Sequence, residues 1–138
     1  METLNFDNEC KTDTKMIRMI KSNDYIFGMC NIVPRRSGLS VDIWSDHKGI
    51  QRQVLHGGTP RIKITKNNIF ISVTISENPQ IKTKSRKISK SDQKDLDEGI
   101  KYVARNYDLF LKHYMDDDRN LFDDEDLFNA LRARGEYK

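Results

Sequence analysis

At 138 residues the chain is about one domain long, and 36% apolar against 33% charged residues implies a compact core under a heavily ionic surface. Its apolar residues recur in periodic blocks, which argues against disorder throughout, and no run of about 18 of them exists to cross a membrane. The net charge of +3 is unevenly spread: positions 61–94 hold nine basic residues against two acids, and positions 116–126 hold seven acids and one arginine.

Residues 1–15 are polar and aperiodic and read as a flexible leader, with a single α+β domain over 16–138. The first 24 positions have no apolar core of the export-signal type. Cys10 and Cys30 form no CxxC pattern, so a cytoplasmic setting with two free thiols is expected. Met16 to Ile20 is too short to assign. Tyr25 to Val33 is a run of β-compatible residues that stops at Pro34, which cannot donate to a ladder. Residues 34–38 read as a turn. After it Leu39, Val41 and Ile43 alternate with mostly polar neighbours, as in a half-buried strand, and the two segments predict a hairpin. Asp46 to Gly49 is a further turn, Ile50 to Leu55 a short strand, and Gly57 to Pro60 a break.

The clearest β signal follows. Ile62 and Ile64 alternate with Arg61, Lys63 and Thr65. Asn67 and Asn68 tolerate the left-handed backbone of a tight turn, and Ile69, Ile71, Val73 and Ile75 resume the alternation up to Asn78-Pro79. Then the period changes. Leu96, Ile100, Val103, Tyr107, Phe110 and Tyr114, spaced by fours and threes, predict one continuous helix of about 25 residues. Ser89, with Asp92 three positions on, is its expected cap, Ser91 the alternative. A shorter helix is expected from Asp123 or Asp124, with Leu127, Ala130 and Leu131 inward and Gly135 as its stop. Together these elements predict a twisted antiparallel sheet of four to six strands packed by a long C-terminal helix plus one short terminal helix.

Few motifs carry chemistry. The acidic run beginning at Asp116 invites a calcium reading, but it places Leu121 where an EF-hand loop needs glycine and Leu127 where it needs the bidentate glutamate. His47, His56 and His113 have no metal-ligand spacing. His113 reads as a helix-end residue, and His47 and His56, in turns flanking a short strand, are the candidates for a small enzyme. No nucleophile elbow, HExxH, P-loop or GxGxxG is present, so the sequence leans away from an enzyme and implies no metal and no cofactor.

Two charged surfaces remain. Lys82, Lys84, Arg86, Lys87 and Lys90, joined by Arg35, Arg36 and Arg61, form a basic face able to follow phosphates. A solvated connector is the plainer account of the same residues. Trp44 could stack a base beside those arginines, or simply fill the core. Asp116, Asp117, Asp118, Phe122, Asp123, Asp124 and Glu125 form an acidic face, with carboxylates around an apolar anchor, suited to a basic partner. There the plainer account is an interhelical loop whose last acids cap a helix.

Pro60-Arg61-Ile62-Lys63-Ile64, the strand Ile69 to Ile75, Ile88-Ser89 opening the helix, and Tyr107, Leu109, Leu111 and Tyr114 near its end together resemble a family of short bacterial proteins. That family is known as a domain of unknown function and is found in prophages and beside toxin–antitoxin genes. It carries histidines after the proline where this chain has Arg61 and Lys63, so no functional residue transfers. The resemblance implies an accessory protein of a mobile element. The expectation is therefore a small, non-enzymatic phage or prophage protein that regulates or inhibits a host system, such as a defence system, by binding a host protein. A nucleic-acid-binding module using residues 82–94 is the alternative. No membrane partner is expected.

Overall fold

The computed structural model describes residues 30–45, 59–116 and 121–138. The expected leader, the stretch before Cys30, the short strand Ile50 to Leu55, and His47 and His56 lie outside these residues. The chain order is β1 (Cys30–Ile32), α1 (Pro34–Ser37), β2 (Asp42–Ser45), β3 (Arg61–Lys66), β4 (Ile69–Thr74), β5 (Ile81–Lys84), α2 (Lys90–Arg105), α3 (Tyr107–Met115) and α4 (Asp124–Ala133). The strands form an antiparallel sheet in sequence order, β1-β2-β3-β4-β5. The α+β architecture follows the hydrophobic alternation.

Alternation decides which face is covered. Ile43 pairs with Ile64, and Ile64 with Ile71, so one row of side chains points to one side of the sheet. Ile32, Ile43, Ile62, Ile64, Ile71 and Val73 are all 0–1% exposed. Leu96, Tyr102 and Val103 of α2, Phe110 of α3, and Leu127 and Leu131 of α4 complete the same core. Asn67, at φ 53°, makes the β3–β4 turn in the left-handed region that asparagine tolerates. The 34–38 turn is a single helical turn, with Pro34 at its start and Gly38 at φ 84° accepting the left-handed exit.

The long helix is not continuous. The Asn106 backbone N–H is shared between Tyr102 O and Val103 O, both at 3.2 Å. Its side-chain Nδ2 donates to Tyr102 O at 3.0 Å, and Arg134 Nη1 donates to its Oδ1 at 3.2 Å. A buried amide that satisfies the backbone locally replaces one turn of helical hydrogen bonding, so the helix breaks there and restarts as α3. The apolar stripe crosses the break, which is why its spacing gave no sign of it.

The chain end is tied down. Gly135, at φ 79°, reverses the backbone after α4, and Glu136 N–H returns to Leu131 O at 2.9 Å. Tyr137 stacks on Phe128 at 4.6 Å. Tyr102 OH donates to Glu136 O at 2.5 Å. Burial, with the Glu136 carboxylate adding to it, holds the Tyr102 phenol far above its ordinary value.

Candidate nucleic-acid interface

The basic residues singled out from sequence do not form one face. Arg35 and Arg36 lie on α1, between β1 and β2. Lys82 and Lys84 lie on β5, at the opposite end of the strand order. Three to four strand spacings, about 15–19 Å, separate the two groups. Arg36 is also engaged: its Nη1 donates to Lys138 O at 2.9 Å, and Lys138 N–H returns to Arg36 O at 2.9 Å. Arg61 is half-buried on the sheet face away from the helices. Trp44 is 3% exposed and donates from Nε1 to Thr65 Oγ1 at 2.9 Å, leaving no ring face for a base.

What remains is a strip that runs from the edge strand into α2. Lys82, Lys84, Arg86, Lys87, Lys90 and Lys94 are all exposed. Among the described residues none of these six makes an ion pair or a side-chain hydrogen bond. Most other cations among the described residues are engaged; Arg61, whose Nε is buried without a hydrogen-bond partner, is an exception. Lys66 meets Asp95 and, at 3.1 Å, Asp92; both acids hold its ammonium above its ordinary value. Arg105 grips Glu136 through two contacts of 3.1 Å, and Arg134 grips Asp108. Lys63 and Lys112 sit over the rings of Phe70 and Phe122, at 5.0 and 4.6 Å.

The strip is anchored between its charges. Ser85 continues the ladder past β5: its N–H donates to Phe70 O at 3.0 Å, and its Oγ accepts from Phe70 N–H at 2.8 Å. Ile88 packs against the core. Ser89 caps α2, its Oγ accepting from Asp92 N–H at 3.1 Å. Between these anchors Lys87 adopts φ 47°, a left-handed conformation uncommon for a side chain of this size. The basic connector expected from sequence is thus a fixed backbone that displays charge at set positions.

The acidic run has the opposite character. Asp116 is 8% exposed, and its carboxylate accepts from Leu121 N–H at 3.3 Å and Phe122 N–H at 3.1 Å. Phe122 is 8% exposed, so the expected apolar anchor points into the fold; Leu121 is the exposed one, at 84%. Asp123 and Asp126 form a reciprocal capping box on α4. Asp124 accepts from His113. Glu125 is exposed on the first turn of α4. Asp117 and Asp118 lie outside the described residues.

His113 is 2% exposed, so it is a core residue and not merely a helix end. Its Nε2 meets Asp124 Oδ1 at 2.7 Å and its Nδ1 meets Ser45 Oγ at 3.0 Å. A carboxylate only accepts, so Nε2–H donates to Asp124, and in the neutral ring Nδ1 accepts from the serine hydroxyl. Serine, histidine and aspartate in a row resemble a hydrolytic triad, with the ring nitrogens exchanged relative to the usual order. Ser45 is 0% exposed, however, and no substrate carbonyl reaches it. The array braces the sheet against α3 and α4. Residues 45 and 113 are 68 positions apart, so no local spacing could reveal it.

Among the described residues, no group of three or more His, Cys, Asp or Glu side chains is placed to hold a metal ion, and no helix is long and apolar enough to cross a membrane. Comparison with protein-family models, with curated proteins and with solved structures returned no match to this chain.

Proposed function

We propose that this protein acts by binding, and that its binding surface is the basic strip from Lys82 to Lys94, which takes the phosphate backbone of a nucleic acid. The observation that carries this reading is the concentration of six exposed, unpaired cations on an anchored backbone, while most cations elsewhere among the described residues have partners. Unpaired cations that meet phosphates release the counterions condensed on the nucleic acid, and an anchored backbone has little conformational freedom to lose in doing so. The edge itself disfavours another protein strand. β5 is short, carries two lysines, and shifts register against β4 at Ser72/Val73, all features that protect an edge from strand addition.

The wider reading is a small non-enzymatic regulator or inhibitor, carried by a phage, prophage or other mobile element and acting in the host cytoplasm. A host protein docked on the acidic run is the other version of it. The geometry favours the basic strip, because Asp116, Phe122, Asp123 and Asp124 all serve internal contacts.

A gel-shift assay at low salt with mixed-sequence DNA and RNA tests the proposal. The full chain should bind, and a variant combining Lys82→Gln, Lys84→Gln, Lys87→Gln and Lys90→Gln should bind far more weakly at an unchanged melting temperature. Equal binding by both proteins would move the interface elsewhere.

A further inference from the structure

Building on the nucleic-acid reading above, we propose that the strip takes double-helical nucleic acid through its phosphates alone, without stacking on bases and without reading their edges. Three features of the surface lead there.

First, it offers no stacking platform. Proteins that hold single strands rely on aromatic side chains under successive bases. Among the described residues every aromatic side chain is buried or half-buried. Trp44 is closed off, and the Phe70 ring lies under Lys63. Among the described residues the exposed large apolar side chains are Ile81, Met115 and Leu121, none of them aromatic. Without stacking, affinity comes from charge density, and a duplex carries a phosphate charge about every 1.7 Å of its axis, more than a single strand does.

Second, the strip is poor in the forked and amide groups that read bases most specifically. Five of its six cations are lysines, compact point charges, and Arg86 is its one forked donor. The two amides beside it are engaged: Gln80 Nε2 donates to Asn78 O at 3.1 Å, and Gln93 Nε2 donates to Asp97 at 2.8 Å.

Third, the cations at the two ends of the strip are spaced at similar short intervals. Lys82 and Lys84, two residues apart on β5 where its register shifts, are at most about 7 Å apart along the backbone. Lys90 and Lys94, four apart on α2, are about 6 Å apart along its axis. Asp92 and Asp95 are drawn toward Lys66 of β3 and so are held off this row. Ile81, 43% exposed, is the exposed apolar side chain beside the strip, Ile88 being turned into the core, which is too little to insert into a lipid surface.

The test is fluorescence anisotropy of the full chain against two labelled DNA duplexes of unrelated sequence, their separated strands, and vesicles rich in anionic lipid as competitor. The expected result is a duplex preference of about tenfold over either strand, near-equal affinity for the two duplexes, and a slope of log affinity against log salt near about −5, as six contacts imply. Lys87→Gly should reduce that slope by about one while leaving the melting temperature unchanged or higher, since glycine adopts φ 47° without strain. Tighter binding of single strands, a large difference between the two duplexes, or displacement by the vesicles would overturn the duplex proposal and leave the polyanion strip standing. Absence of binding to every polyanion at low salt would remove the underlying reading as well.

Discussion

Gly99 sits in the middle of α2, where alanine would ordinarily be the better residue by about 1 kcal/mol. Here the backbone of α2 lies directly on the sheet. A Cβ at position 99 would be 2.9 Å from Ile64 Cγ2 and 3.0 Å from Val41 Cγ2. Both neighbours are fully buried, at 0% and 1% exposure, and neither is a flexible chain end that can swing away. Overpacking of this kind costs about 1–3 kcal/mol, so the clash outweighs the gain in helix propensity and Gly99→Ala should destabilise by about 1 kcal/mol. For a chain of this length that lowers the melting temperature by about 4 °C, measurable by circular dichroism or calorimetry. Ile64→Ala, which removes the nearer methyl, should be costly alone, yet the double variant should cost less than the two effects added, because the new methyl refills part of the void. An increase in melting temperature for Gly99→Ala would refute this account of how α2 meets the sheet.

Three further outcomes follow from the geometry. Asp116→Ala should lower stability by about 1–3 kcal/mol, because it leaves the N–H groups of Leu121 and Phe122 without their acceptor, and chemical denaturation would measure the loss. His113→Ala should cost at least about 2 kcal/mol in the same assay, since Ser45 Oγ loses its partner inside the core and a cavity opens beside it. The Arg134 guanidinium beside Asp108 holds its carboxyl below the ordinary 3.8. The small stabilisation from this largely exposed pair is therefore complete above that value and is lost as pH falls through the lower folded-state value, so Arg134→Gln should flatten the acid side of the melting-temperature profile.

Features that depend on neighbours in sequence were legible. The alternation of Ile62, Ile64, Ile71 and Val73 named the buried face of the sheet, Asn67 its tight turn, Ser89 the cap of α2, and Asp123 the start of α4. Features that depend on neighbours in space were not. The Asn106 break leaves the apolar stripe intact and is made by a hydrogen bond from Arg134 and by the residue's own amide. The Ser45–His113–Asp124 brace joins three elements. Asp116 looked like one more solvated acid until the fold placed two backbone N–H groups beside it. The basic face is the instructive case: charge counting grouped Arg35 and Arg36 with Lys82 to Lys90, and strand order separates them by most of the width of the sheet. Only the pattern of ion pairing, which composition does not contain, sets the strip apart as a concentration of unneutralised charge.

The most direct test of the binding surface is a backbone amide NMR titration of the full chain with a short DNA duplex at low salt. Amide shifts concentrated between Ile81 and Lys94, with α1, the chain end and residues 116–126 unmoved, are the predicted result. Shifts centred on Arg35 and Arg36, or on the acidic run, with the 81–94 amides unchanged, would contradict it.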